Sequence, residues 1–128
     1  ADRLRPRGMV AAHELSSLGL VSAISTNNVL NPFTPFGDVS MIRMANLYAN
    51  IAQTGTPELL AEVFGMVTDR AARLIGATGY GIRPGNRASF VLVDAVSPAA
   101  AVAEIAPALA GWKDGIQTFE RPQGRLLI

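Results

Sequence analysis

Few side chains in this sequence could carry chemistry. There is one histidine, His13, and no cysteine. The lack of cysteine excludes disulfides, thiolate metal sites and cysteine nucleophiles together. A zinc site draws on several His, Cys or Asp side chains. His13 stands inside an expected helix, away from any group of acids, and reads as a surface or capping histidine. A Ser-His-Asp triad built on it would lack the G-x-S-x-G elbow. No G-x-G-x-x-G or Walker pattern offers a phosphate site.

The most distinctive segment is residues 26–38, rich in Pro and Asn. Asn27, Asn28 and Asn31 carry amides there. Amides can hydrogen-bond the loop backbone or a ligand, but they cannot act as general bases and are poor metal ligands. Asn28, Asn31, Phe33 and Phe36 are the candidates for a substrate-facing loop. Phe33 and Phe36 read as plugs that anchor the loop rather than as a cage around a ligand. Asp38 is the one acid of the loop and serves as a helix cap without needing a catalytic role. Asp94 ends an apolar strand and is expected to bond a turn amide. Arg70 and Arg73 share one short helix and read as surface or intramolecular ion-pair residues.

The elements that must position these groups can be read from patterning. Residues 9–17 have helical spacing, ended by Leu18-Gly19, and residues 20–25 read as a short strand. Helix, Gly and strand make the αβ half of an α/β repeat, and the loop leaves that strand's end, where such folds place their sites. Asp38 or Ser40 caps a helix over 39–53. Thr56-Pro57-Glu58 opens another to about residue 67: a cap, Pro at the first position and an acid in the first turn. Thr68 and Asp69 cap a short helix over 70–75, closed by Gly76. From about Gly79 the pattern changes. A turn-rich stretch leads into a strand over 89–94 with Phe90 and Leu92 on one face. Ser97-Pro98 opens an Ala-rich helix to about residue 105. Two weaker strands follow at 115–120 and 124–128. Short strands like these need a partner sheet.

Composition narrows the classes. The chain has 128 residues, enough for one compact domain or part of a larger one. With 49% hydrophobic and only 16% charged residues, it reads either as a piece that buries surface against something else or as the product of a compositional bias. A net charge of +1 and scattered arginines give no footprint for nucleic acid or anionic membrane. No apolar run is long enough to span a bilayer. The opening residues lack the apolar stretch of a signal peptide, and a cytoplasmic setting is expected. The missing initial Met suggests a processed or excised fragment.

At the loop the sequence resembles a known family. Ser25-Thr26-Asn27-Asn28-Val29, followed by Asn31-Pro32-Phe33-Thr34-Pro35-Phe36-Gly37, is similar to the end of the last barrel strand in cytosine-deaminase-like members of the metal-dependent amidohydrolase superfamily. The resemblance continues in order through Val67-Thr68 and Ala71-Ala72-Arg73-Leu74-Ile75-Gly76. It then runs through Tyr80-Gly81-Ile82, Pro84-Gly85-Asn86 and residues 88–94. It implies a C-terminal remnant of a (β/α)8 amidohydrolase barrel, residues 1–78, plus part of a small composite β domain, residues 79–128. It also implies zinc or iron in the complete enzyme and metal-assisted hydrolysis of C–N bonds.

The departures matter. Asn27 occupies the family's metal-ligand Asp position, Asn31 the place of a second acid, and Ser89 that of the acid in the returning strand. The remaining ligands belong to strands this chain lacks, since a full barrel needs about 250 residues. The expectations are therefore a chain with no metal, cofactor or catalytic residue of its own, probing a small-molecule substrate only within a complete parent. Its partner would be the remainder of a larger barrel, a second chain, or a second copy in a homodimer. The alternatives are an assembly module that packs against a partner, and a small-molecule binding module with a pocket beside the loop.

Overall fold

The computed structural model describes residues 8–26, 28–122 and 124. Among them lie four α-helices, a short 3-10 helix and three strands. Local capping explains where most helices begin. The helix α1, Met41–Ala52, starts at Ser40, whose Oγ accepts the Arg43 N–H at 3.2 Å. The helix α2, Pro57–Gly65, starts at Thr56, whose Oγ1 accepts the Leu59 N–H at 3.3 Å, with Pro57 at the first position. It stops two residues short of the expected end, and turns follow. There the Thr68 hydroxyl donates to the Phe64 carbonyl at 2.9 Å instead of capping the next helix. That helix, α3, spans Asp69–Leu74. The helix α4, Pro98–Ala103, starts at Ser97, whose Oγ accepts the Ala100 N–H at 3.1 Å.

The core forms where α1, α2 and α4 meet. Ala45, Tyr48 and Ala49 of α1 recur at helical spacing and face Val63, Met66 and Val102. Ala12, Ile24, Leu60, Phe64 and Val67 pack around them. Asn46 ties α1 to the end of α4, its Nδ2 donating to the Val102 carbonyl at 2.9 Å. The core is thin. Among the described residues only Met66, Val63 and Val102 are large and fully buried, and most other buried apolar residues are alanines. The chain exposes 9766 Å².

Three strands form one antiparallel sheet in the order β1-β2-β3: β1 is Phe90–Val93, β2 Ala108–Lys113 and β3 Ile116–Glu120. Phe90 sits opposite Trp112, and the two rings stack at 4.8 Å. The β2–β3 connection is the two-residue turn Asp114-Gly115, with φ of 51° and 83°. Positive φ at both positions is what a type I′ hairpin turn requires. Gly111 faces Phe119 across β2 and β3, and the ring lies where a Cβ would be.

Three expectations are corrected, and one strand is added. Residues 9–17 do not form a helix of that length; the structure has a 3-10 helix, Glu14–Leu18, closed by Gly19 at φ 76°. The reason is tertiary. The His13 N–H donates to the Tyr48 hydroxyl at 3.0 Å, and the Ala12 carbonyl accepts from Ser22 Oγ at 2.7 Å, so neither serves a helix. Residues 20–25 form no strand, because a strand exists by pairing and, among the described residues, no strand runs beside them. Their long-range backbone bond is Ile24 N–H to the Met66 carbonyl, 3.0 Å, at the end of α2. The central strand β2 was not expected at all, since its Ala, Gly and Pro-preceded start carry little strand propensity. The helix over 39–53 is shorter at both ends, and Gln53 leaves it in the left-handed region at φ 55°. The expected strand at 124–128 lies outside the described residues apart from Gly124, which is in no element.

Candidate functional site

The loop at 26–38 joins the core-lining segment that contains Ile24 to the start of α1. Its order comes from its own amides and hydroxyls. Thr26 Oγ1 donates to the Asn28 carbonyl at 3.2 Å and accepts the Asn28 N–H at 3.3 Å. Asn31 is the organising residue. Its Oδ1 accepts the N–H groups of Phe33 at 3.0 Å and Thr34 at 2.9 Å, and its Nδ2 donates to Asn28 Oδ1 at 3.0 Å. This is an Asx turn, in which the side chain stands in for a backbone acceptor. Asn31 and Thr34 also pair through their backbones, and the Leu30 N–H reaches the Phe36 carbonyl at 3.5 Å.

The loop's exit is equally specified. Gly37 has φ 124°, and a Cβ there would meet Val29 Cγ1 at 3.2 Å and Arg43 Nη1 at 3.4 Å. Glycine thus lets the Arg43 guanidinium approach the loop backbone. Asp38 Oδ1 accepts the Ser40 N–H at 3.0 Å. Its carboxylate braces the residue that caps α1, so of the two expected caps Ser40 takes the role and Asp38 does not. Between them Val39 is held at φ 64°, a costly conformation for a β-branched residue.

The structure brings Asn28 and Asn31 together and leaves the two aromatics apart from the core. Phe33 is 77% exposed and Phe36 62% exposed. They are therefore not plugs within this chain; nothing in its core lies over them. Asn27 lies outside the described residues. The two best-formed concavities among the described residues lie elsewhere, one between the ends of α1 and α4 and one along residues 81–90. Neither touches the loop.

His13 has a structural partner. Its Nδ1 lies 2.7 Å from the Tyr48 hydroxyl, which also accepts the His13 N–H. With the hydroxyl donating to Nδ1, every polar group in the trio is satisfied. Tyr48 is 3% exposed, and the contact anchors the 3-10 helix to α1. The expected role for Arg70 as an ion-pair residue holds: it pairs with Glu62 and bonds the Ser16 hydroxyl, joining α3 to α2 and the 3-10 helix. Ser89, just before β1, is tied to the β2–β3 turn: its Oγ donates to Asp114 Oδ1 at 3.3 Å and accepts the Asp114 N–H at 3.0 Å.

Sequence reasoning missed Tyr48 as an anchor. The available signal was a tyrosine on the apolar face of α1, whose hydroxyl must find a partner when buried. Near α3, burial and the Asp69 carboxylate raise the pKa of Tyr80 above its ordinary value, a bond to Thr68 opposing them. Among the described residues no three His, Cys, Asp or Glu side chains come together as a metal site. The donor set therefore does not fit a catalytic zinc or iron: His13 is committed to Tyr48, Asp38 to the α1 entry, and the loop amides carry no charge. No helix among these residues is long and apolar enough to cross a membrane.

Comparison with known proteins adds the context the loop lacks. No family model matches the chain. The N-isopropylammelide isopropyl amidohydrolase of Pseudomonas sp. (strain ADP) is 27% identical over 103 residues, which are 80% of this chain and 26% of that protein. The crystal structure of N-isopropylammelide isopropylaminohydrolase from Burkholderia multivorans ATCC 17616 superposes with a TM-score of 0.78 at 29% identity, over 84% of this chain and 28% of that one. A 5-methylcytosine deaminase from Klebsiella pneumoniae, liganded with 5-fluorocytosine, shares the fold with a TM-score of 0.81 at 23% identity, over 90% of this chain and 28% of that one. The chain thus spans about a quarter of the length of these relatives. Its mixed α/β fold matches part of a larger barrel-type fold, and the chain is homologous to cytosine-deaminase-like members of the amidohydrolase superfamily.

Proposed function

We propose that this chain is the C-terminal segment of a metal-dependent hydrolase acting on C–N bonds, and that it is not catalytic by itself. The observation that carries this is the donor set: among the described residues no three acidic, histidine or cysteine side chains converge on a point. Metal-assisted hydrolysis needs a cation held by several such groups and a base for the attacking water. In this reading residues 1–78 are the end of the barrel and residues 79–128 the returning part of a small β domain. Zinc or iron would be held by side chains of the missing strands. Asn28, Asn31, Phe33 and Phe36 would face a small-molecule substrate only in the assembled parent. Asn27 and Asn31, in positions where the family carries acids, would weaken even that parent. A cytoplasmic setting belongs to the same proposal.

The test is metal analysis of the purified 128-residue chain, with assays for deamination of cytosine-type rings and release of alkylamine from N-alkylammelide. The expected result is no stoichiometric metal and no turnover. Tight zinc or iron together with turnover would overturn the proposal.

A second reading is supported by the surface. Phe33 and Phe36 of the loop and Val39 beside them are 77%, 62% and 77% exposed, apolar surface of the kind that an interface covers. An assembly role, with this piece packed against the rest of a barrel, a partner chain or a second copy, follows from it. Sedimentation of the pure chain should show self-association or instability relieved by the partner. A well-behaved monomer at high concentration would argue against that role.

A further inference from the structure

The β2–β3 turn combines a reactive pair of residues with a clasp from outside the hairpin. Asp114 is the one aspartate of the sequence that precedes a glycine, and no asparagine does. An aspartate before glycine is open to attack by its own chain. The glycine nitrogen has no neighbouring Cβ to crowd it, and the backbone there turns freely enough to reach the carboxyl carbon. Both residues are exposed, and nothing lies within 4 Å of the place a Gly115 Cβ would take. In the folded chain both reacting groups are held. The Gly115 N–H donates to the Ala88 carbonyl at 2.8 Å. Asp114 Oδ1 accepts the Ser89 hydroxyl at 3.3 Å, and the Asp114 N–H donates back to Ser89 Oγ at 3.0 Å. Residues 88 and 89, which lead into β1, thus restrain the attacking nitrogen's proton and the orientation of the carboxylate.

We propose that Asp114-Gly115 is a site of spontaneous isoaspartate formation, which the clasp from Ala88 and Ser89 keeps closed while the sheet is intact. In the reaction the Gly115 nitrogen loses its proton and bonds to Asp114 Cγ. One carboxyl oxygen leaves as water, and a five-membered succinimide ring remains. Water then adds to one ring carbonyl and breaks its bond to nitrogen. Opening at the former side-chain carbonyl restores aspartate. Opening at the former main-chain carbonyl leaves the chain running through the side chain. One water leaves and one enters, so the mass is unchanged and no oxidant, reductant or other reactant is needed. The product does not fit the turn. It adds a methylene to the backbone of a two-residue connection, where positive φ at both positions lets Lys113 pair with Ile116. It also replaces the carboxylate that Ser89 holds. Each net hydrogen bond changes an opening equilibrium about two- to tenfold, so removing the two Ser89 bonds should release the site by about fivefold or more. The inference is independent of the proposed hydrolase ancestry.

The experiment ages the full 128-residue chain at neutral pH, in buffer and in urea above its unfolding transition. Digestion with a protease that cuts before aspartate but not before isoaspartate reads the modification as lost cleavage at Asp114 without a change in mass. In urea, isoaspartate should accumulate at Asp114 ahead of every other aspartate. In the folded chain it should form at least about tenfold more slowly, because the three clasp bonds must open first. Ser89→Ala, at an exposed position, should speed the folded-chain reaction about fivefold with little change in the urea midpoint. Ser89→Thr keeps the hydroxyl and should react at the native rate. Trp112 is the one tryptophan and stacks on Phe90, so its emission should shift in the modified fraction as the sheet loosens. No isoaspartate at Asp114 in urea would overturn the proposal, and so would equal rates in the folded and unfolded chain. A Ser89→Ala rate equal to the native one, or a Ser89→Thr rate as fast as that of Ser89→Ala, would show that the hydroxyl is not the guard and would also overturn it. Unchanged Trp112 emission in the modified fraction would refute the effect on the sheet.

Discussion

Tyr48→Phe tests whether the approach to the loop is held from α1. The substitution removes one oxygen from a side chain that is 3% exposed. That oxygen has two partners, the His13 N–H at 3.0 Å and His13 Nδ1 at 2.7 Å. Each net hydrogen bond is worth roughly 0.5–1.5 kcal/mol, and a stranded buried partner raises the loss. His13 is only half-buried, so water can replace part of what Nδ1 loses. The expected destabilisation is therefore about 1–2 kcal/mol, read as a lower midpoint in urea unfolding with unchanged slope. The ring and its packing against Val63 and Met66 stay in place, so the loss belongs to the hydroxyl. A second readout isolates the mechanism: hydrogen exchange at the His13 amide should accelerate by about five- to thirtyfold. In the Tyr48→Phe background, His13→Ala should cost less than it does alone, with a coupling of at least about 0.5 kcal/mol. A change in stability below about 0.3 kcal/mol, or unaltered exchange at His13, would refute the claim that this trio replaces the missing helical bonds of residues 9–13.

Four further outcomes are expected. Gly111→Ala places a Cβ 2.2 Å from Phe119 Cε1. The ring is 42% exposed and can swing outward, so the cost should be about 1–2 kcal/mol and not more; thermal unfolding checks it, and Phe119→Ala should relieve most of the clash. Asn31→Asp keeps the acceptor for the Phe33 and Thr34 N–H groups but sets a carboxylate against Asn28 Oδ1. Exchange at the two bonded amides should stay protected while stability falls by about 1 kcal/mol at neutral pH. Val39→Gly relieves a β-branched residue at φ 64° that is 77% exposed, and should raise stability by about 1 kcal/mol in urea unfolding. In the Tyr48→Phe chain, Tyr80 is the sole tyrosine, so an ultraviolet titration should find its phenolate forming only above 10.0. Asp69→Asn should bring the midpoint back toward 10.0, because the carboxylate is one cause of the shift. The sign follows: with the native pKa raised, the associated stability is present below 10.0 and is lost as pH rises through the higher native value.

The capped helix starts were legible without a fold. Ser40, Thr56 and Ser97 each satisfy an amide three residues onward, and a bond of that span is written in local sequence. The same holds for the loop's Asx turn, since Asn31 bonds residues two and three places away. The Asp114-Gly115 hairpin signal is just as local, but β2 beside it is Ala- and Gly-rich and carries little strand propensity. That strand forms because β1 and β3 pair on either side and Phe119 fills the space over Gly111.

The amide character of the loop, its single acid, the lone histidine and the absence of cysteine are properties of the sequence, and they limit its chemistry in any fold. Tertiary structure alone decided how those groups are used. Tyr48 reaches His13 across 35 residues and takes the amide that a helix would have used. Among the described residues, 20–25 have a strand's composition but no neighbour to pair with, and Phe33 and Phe36 have apolar rings but no core beneath them. The physical reason is common to all three. Propensity and capping act within a few residues, whereas strand pairing and burial depend on surfaces brought from elsewhere, and for this loop those surfaces are not in the chain's own packing.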